Sequence, residues 1–241
     1  VKANPTLSPV FAPSAHEFLE TVLTLKPRVA VFDCDGTLWD GDSGADFFYW
    51  AIERGVVSGE IGKRAVARYA EYKAGKVDEK TMCGEMVTIN AGIPERTMEQ
   101  AAEEFFSTVV EQRIFQEMLH LTHRLAEIGC ELWAVSSTNI WVVREGVKGF
   151  GIAPDHVLAA AVEIEQGAAT DRLVHVPTDE GKALALQQAL AMPIDVCCGN
   201  SVHDSAMLEI ARHPFAVNPT PALEEEARQK SWGIYWPQKK P

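Results

Sequence analysis

The 241 residues are 46% hydrophobic and 23% charged, with 17 Gly and 13 Pro. This is ordinary globular composition, enough for one sizeable core or a core with a smaller lobe, and it excludes disorder, collagen-like repetition and low complexity. With 22 Lys and Arg against 34 Asp and Glu the formal charge is −12, and no basic cluster offsets it, so neither nucleic acid nor an anionic membrane is an expected partner.

From the first residue, nothing before residue 28 has the charged-then-apolar form of a signal peptide, and no stretch approaches the ~20 apolar residues of a membrane-spanning helix. The cysteines Cys34, Cys83, Cys130, Cys197 and Cys198 are odd in number and irregular in spacing. They read as reduced thiols, and a cytoplasmic location is expected. The first apolar run, Val29-Ala30-Val31-Phe32, ends in Asp33-Cys34-Asp35-Gly36-Thr37. Helical stretches follow near 44–55, 60–74, 78–91 and 96–106, broken at Gly55, Gly75 and Gly92-Ile93-Pro94. Their rings, Phe47, Phe48, Tyr49, Trp50, Tyr69 and Tyr72, read as the core of an inserted helical lobe. A helix over 111–128 leads to a second run, Leu132 to Val135, ending in Ser136-Ser137-Thr138-Asn139. Helices at 140–149 and 181–191 precede the third run, Ile194 to Cys198, which ends in Gly199-Asn200-Ser201 before a helix at 202–212.

Short apolar runs without alternation are strands buried on both faces. Alternating with helices, they predict an α/β fold, a doubly wound, Rossmann-like parallel sheet core over residues 1–40 and 111–241 with a small helical domain inserted at 41–110. Ligands in such sheets bind beyond the carboxyl ends of the strands, where all three polar clusters fall.

Asp33 and Asp35 at close quarters need a cation, a shared proton or separate roles. Mg²⁺, which takes hard oxygen ligands, answers that need; an Asx turn after a strand is the structural alternative. Ser136 and Ser137 offer hydroxyls and N–H groups suited to a phosphate. Lys182, beside Gly181 at a helix start, can set its ammonium against anionic oxygens or stay a solvated first-turn residue. Asn200 and Asp204, four apart, can supply an oxygen ligand and a supporting hydrogen bond to the same metal. His203 either touches phosphate or is a solvated helix-start histidine. His120 and His123 lack the companions of a metal set and read as surface or capping residues.

In this order the clusters resemble the haloacid dehalogenase superfamily of hydrolases. Asp33-Cys34-Asp35-Gly36-Thr37-Leu38 is similar to its DxDGT(L) element, and Ala134-Val135-Ser136-Ser137 to its hydrophobic strand ending in Ser or Thr. Lys182 matches its basic residue, and Gly199-Asn200-Ser201-Val202-His203-Asp204 is similar to its GDSxxD element. The helical insert looks like its C1 cap, and the stretch from Gly167 to Lys182 looks like the phosphoserine-phosphatase-like branch. The resemblance implies a Mg²⁺-dependent phosphomonoesterase acting on a small phosphorylated metabolite through an aspartyl-phosphate. Asp33 would be nucleophile and Asp35 general acid and base. Mg²⁺ would be held by Asp33, the backbone carbonyl of Asp35 and Asn200, with Asp204 supporting. Ser136, the N–H of Ser137 and Lys182 would hold the phosphoryl oxygens. Asn200 stands where the element usually has Asp, and brings no charge to the metal. A phosphotransferase would use the same residues; a dehalogenase would not need Asp35 and Thr37, and a phosphoacceptor signalling module would lack the insert.

In phosphoserine phosphatases an acidic residue after the first element and an Arg on the cap hold the amino acid's ammonium and carboxylate. Asp42 is similar to the first, but the Arg falls near Cys83 or Glu85, neither of which clamps a carboxylate. Asp42 and Glu85 beside Trp39 and the cap aromatics suit an amine without a carboxylate, such as phosphoethanolamine or phosphocholine.

Overall fold

The computed structural model of the chain describes residues 13–238. The expectation that no signal peptide precedes residue 28 falls in part on residues 1–12, outside the described residues. Helix α1 (Pro13–Thr24) leads to β1 (Val29–Phe32), and four helices follow: α2 (Ser43–Glu53), α3 (Gly59–Lys73), α4 (Glu79–Thr88) and α5 (Glu95–Phe105). A π turn (Phe106–Val110) and a 3₁₀ turn (Glu111–Arg113) carry the chain to α6 (Gln116–Glu127), β2 (Glu131–Asn139) and α7 (Ile140–Val147). Beyond these lie β3 (Val157–Glu165), β4 (Ala168–His175), α8 (Glu180–Ala189) and β5 (Val196–Gly199). A 3₁₀ turn (Val202–Asp204), α9 (Ser205–Glu209), β6 (His213–Val217), α10 (Pro221–Gln229) and β7 (Gly233–Tyr235) complete the order.

The sheet runs β4-β3-β2-β1-β5-β6-β7, parallel except for the β3–β4 hairpin. Side-chain alternation explains its two covered faces. Val29, Val31, Trp133, Val135 and Cys197 pack with Leu186 of α8, Met207 of α9 and Leu223 of α10. Ala30, Phe32, Leu132, Ala134 and Cys198 pack on the other face with Leu19 of α1, Leu121 of α6 and Val142 of α7. Fully burying a Val, Leu, Phe or Met contributes roughly 1.5–3 kcal/mol. That two-sided burial holds these short strands in place. The chain leaves β1 towards β2 and β3, then crosses back to β5, β6 and β7, so the order reverses beside β1 and opens a crevice there.

All three expected strands are present, and four more are added to them. Val157–Glu165 holds three consecutive Ala, the best helix former, which hides a strand. Half of the β4 residues are exposed, β6 contains Pro214 and β7 has three residues. β3 and β4 are joined by Gln166 (φ 49°) and Gly167 (φ 79°), the two left-handed positions of a tight hairpin turn. β2 extends past the expected Val135 to Asn139, with a register shift between Ser136 and Asn139. The expected helix at 202–212 is instead the 3₁₀ turn and the five-residue α9, and the helix at 111–128 is a 3₁₀ turn followed by α6.

The helical stretches of 41–110 form as expected, but their aromatics divide. Phe48 and Tyr69 make a separate cluster with Ala65, Val77 and Met82. Phe47 packs on Trp50 and Phe105 within the lobe, and with Met98 these rings continue into the main cluster under the sheet. Among the described residues no helix is long and apolar enough to cross a membrane.

One close approach fixes α7 against the site-bearing loop. A Cβ on Gly146 would lie 2.6 Å from Phe106 Cε2 and 2.8 Å from Trp39 Cη2, rings buried in the core. Gly146→Ala gains helix propensity of ~1 kcal/mol but must push those rings apart. The expected net effect is destabilisation by about 1–2 kcal/mol, read as a lower urea midpoint at unchanged slope. An unchanged or higher midpoint would show that the rings move freely.

Candidate active site

Asp33 follows β1 directly, and its N–H still donates to the Cys198 carbonyl at 2.9 Å. Strand pairing therefore sets where its carboxylate begins. That carboxylate is buried; Lys182 Nζ donates to Oδ1 at 2.7 Å and the Thr37 hydroxyl to Oδ2 at 3.0 Å. Lys182 is buried in the first turn of α8 and also donates to Asp204 Oδ1 at 2.5 Å, so it is not a solvated first-turn residue. Asp204, fully buried, accepts on Oδ2 the N–H groups of Asn200 (2.9 Å) and Ser201 (3.0 Å). Both its oxygens are thus engaged within the protein.

Asp35 is aimed by three donors. Trp39 Nε1 and the Ser43 N–H donate to Oδ1, each at 2.7 Å, and the Thr138 hydroxyl donates to Oδ2 at 2.7 Å. Gly36 turns the chain with φ 77°, and a Cβ there would fall 1.9 Å from Asn200 Nδ2. Asn200 therefore lies directly over the Asp33–Thr37 loop, and Asn218 Nδ2 braces that loop by donating to the Gly36 carbonyl at 3.1 Å. Ser136 Oγ is buried and accepts the Thr138 N–H at 3.1 Å, while Asn139 caps α7 by accepting the Val142 N–H at 3.0 Å.

One cavity of about 220 Å³ gathers these groups. Asp33, Asp35, Ser136, Ser137, Lys182 and Asn200 line its floor, and Asp42 stands on its wall. The helices of 41–110 supply the opposite side with Phe48, Tyr69, Tyr72, Glu79, Met82 and Cys83. Two expectations are corrected here. Trp39 is fully buried, committed to Asp35 and packed edge-on to Phe106. Glu85 turns away to a two-pronged pair with Arg68 on α3, Nε at 2.9 Å from Oε2, and it does not line the cavity.

Glu79 takes the place given to Glu85, accepting the Tyr72 hydroxyl and standing 3.5 Å from Cys83 Sγ. Glu79, Cys83 and Met86 fall at i, i+4 and i+7 of one helix face, a spacing from which this wall was readable. Thr138, Thr37 and Asn218, which orient the carboxylates and their loop, are the other contributors that sequence reasoning left without a role.

The electrostatics are unbalanced. Burial, and then the nearby Asp204, push the Asp33 carboxyl up to about 7, although Lys182 pulls it down. Burial opposes the Lys182 ammonium, yet Asp204 and Asp33 hold its proton more firmly than in water. Asp42 opens to the cavity mouth, and the protein crowded round it, with Asp35, Asp46 and Glu79, pushes its carboxyl up to about 6. Every formal charge acting strongly on Asp42 is negative. Among the described residues no three His, Cys, Asp or Glu side chains are grouped to hold a metal. The hard donors at this end of the sheet are mixed: the Asp33 carboxylate, the Asn200 amide and backbone carbonyls of the loop beneath it. With a surplus of buried negative charge, that donor set fits Mg²⁺.

The Asp33 shift has a stability consequence. Its folded pKa lies above the ordinary 3.8, so between those values the folded chain holds more protons, and stability falls as pH rises towards 7. Asp33→Asn in EDTA should therefore raise Tm at pH 8, by roughly 2–4 °C for each kcal/mol relieved. The gain should shrink as pH falls from 7 towards 4. A lower Tm at pH 8 would mean that the Lys182 pair outweighs the burial of charge.

The family model for haloacid dehalogenase-like hydrolases matches residues 30–209. A histidinol-phosphatase of Neisseria meningitidis serogroup C (strain 8013) is 27% identical over 220 residues, covering 86% of this chain and 97% of that protein. A structure of a protein of unknown function from Bordetella pertussis Tohama I superposes with a TM-score of 0.73 at 25% identity, covering 86% of this chain and 97% of that one. The unliganded structure of a probable phosphoserine phosphatase from Vibrio cholerae shares the fold, with a TM-score of 0.61 at 17% identity over 88% of this chain and 66% of that one. The chain belongs to the haloacid dehalogenase-like hydrolase family.

Proposed function

We propose that this hydrolase is a phosphomonoester phosphatase that works through an aspartyl-phosphate on Asp33. The observation that carries this reading is the meeting of Asp33, Asp35, Ser136, Ser137, Lys182 and Asn200 in one cavity at the carboxyl ends of β1, β2 and β5. In the first step an Asp33 oxygen attacks phosphorus, the bond to the alcohol oxygen breaks, and Asp35 gives that oxygen its proton. In the second step water attacks the same phosphorus while Asp35 takes a proton from it. Inorganic phosphate leaves and the Asp33 carboxylate is restored. Ser136, the Ser137 N–H and Lys182 hold the phosphoryl oxygens as charge shifts among them. Asp33, the Asp35 carbonyl and Asn200 would hold Mg²⁺, with Asp204 ordering the Asn200 loop, and the ion would neutralise charge as the phosphoryl group is transferred. The helices of 41–110 act as a cap whose closure keeps bulk water from the first step.

The cap side favours a cationic organic group. Asp42 and Glu79 face the cavity beside Tyr69 and Tyr72, and Arg68 is occupied by Glu85 and Glu71. Among the described residues lining the cavity the only basic side chains are Lys182 and His203, both on the phosphate side. A substrate amine thus finds carboxylates and aromatic faces, worth ~0.5–2 kcal/mol per cation–ring contact, while a substrate carboxylate finds no partner. Histidinol phosphate carries an amine and no carboxylate, and the 27% identical relative's name supports it as first candidate.

The test is kcat/KM at one Mg²⁺ concentration for histidinol phosphate, phosphoethanolamine and O-phosphoserine. At least one of the two amines should exceed O-phosphoserine by tenfold or more, and Asp42→Asn should narrow that gap chiefly through KM. O-phosphoserine ahead by tenfold would overturn the cap reading.

A further inference from the structure

Asp179 occupies the N-cap position of α8, three residues before Lys182, yet its side chain makes no capping hydrogen bond. Asp is among the best N-cap residues because its carboxylate accepts the free N–H groups of the first turn. Here the backbone is held at φ 51° and ψ −131°, a conformation that residues with a Cβ seldom adopt. The carboxylate instead reaches across to the turn after Asn200, where Oδ1 lies 2.7 Å from His203 Nδ1, and Thr178 Oγ1 donates to Oδ2 at 3.3 Å. His203 lines the cavity together with Lys182, Asn200 and Ser201. A cap is given up and a strained backbone accepted, and what the fold obtains is a fixed imidazole.

A carboxylate only accepts, so Nδ1 carries the proton in this bond and Nε2 is the ring nitrogen left for a ligand. Lys182 and His203 are the basic groups lining the cavity among the described residues, and Asp179, at the start of the helix that carries Lys182, ties His203 to that helix. We propose that His203 contacts the phosphoryl oxygens through Nε2 and that Asp179 is its positioning residue. When phosphate is bound, the ring stands between two acidic groups, donating to Asp179 from Nδ1 and meeting a phosphoryl oxygen or its hydroxyl at Nε2. This rests on the reading of the cavity floor as a phosphate site.

The experiment measures competitive inhibition of p-nitrophenyl phosphate hydrolysis by inorganic phosphate, with Tm, for wild type, His203→Ala, Asp179→Gly, Asp179→Asn and the His203→Ala/Asp179→Gly double variant. His203→Ala should raise KM and the phosphate inhibition constant roughly tenfold, with a smaller change in kcat. Asp179→Gly should weaken phosphate in the same sense while leaving Tm equal or higher, because Gly adopts a positive φ without strain. Asp179→Asn, which keeps an acceptor, should recover part of the loss, and the double variant should match His203→Ala. An unchanged inhibition constant in His203→Ala, additive losses in the double variant, or a lower Tm in Asp179→Gly would each overturn the proposal. Wild type indifferent to inorganic phosphate would overturn the phosphate site itself, whereas inhibited wild type with unaffected variants would overturn the dyad alone.

Discussion

The site is organised round one buried ammonium shared by two buried carboxylates. Lys182 sits between Asp33 and Asp204, all three nearly sealed from water. Removing such charges from water costs several kcal/mol each, and the cost is offset only where geometry and further hydrogen bonds are good. Here Thr37 completes Asp33, and the Asn200 and Ser201 N–H groups complete Asp204. The consequence is architectural. The loop after β1, the start of α8 and the loop after β5 are bound to one point, which lies where the strand order reverses. Two negative charges to one positive leave the point short of a cation, which under the proposed mechanism a divalent ion would supply.

The rest of the cavity follows from the same imbalance, seen from the other side. A chain of formal charge −12 must hold an anion against its own field. On the proposed reading, Lys182, His203 and the Ser136 and Ser137 groups lining the cavity would do so. Asp42, Glu79 and the tyrosines face them from the helical side, and no basic group lies on that wall among the described residues. The cavity is therefore polarised, anion below and cation above. On the proposed reading, that polarity, more than shape, would distinguish an amine-bearing phosphate ester from a carboxylate-bearing one.

Much of the floor was legible in the sequence because local rules and tertiary demands coincide there. Val29 to Phe32 is apolar on both faces, so it reads as a central strand, and the Asp-rich turn at its carboxyl end reads as a site. The β3–β4 hairpin was not legible, since its alanines favour helix and its second strand faces solvent. On the helical side, Asp42 was found through its likeness to the acidic residue after the first element in phosphoserine phosphatases, but the same alignment pointed to Glu85, and Glu79 lines the cavity instead. Which face of α4 turns inward is settled by packing on α3, where Arg68 claims Glu85. The burial of Lys182 and the strain at Asp179 are tertiary facts, and no local pattern announces either.

A direct test is to trap the covalent intermediate. The enzyme, mixed with Mg²⁺ and a radiolabelled phosphate ester, would be quenched in acid during turnover, digested and mapped. Label should reside on the peptide containing Asp33, be released by hydroxylamine as an acyl phosphate is, and be absent from Asp33→Asn. Turnover without bound label, or label on His203 or another residue, would contradict nucleophilic attack by Asp33.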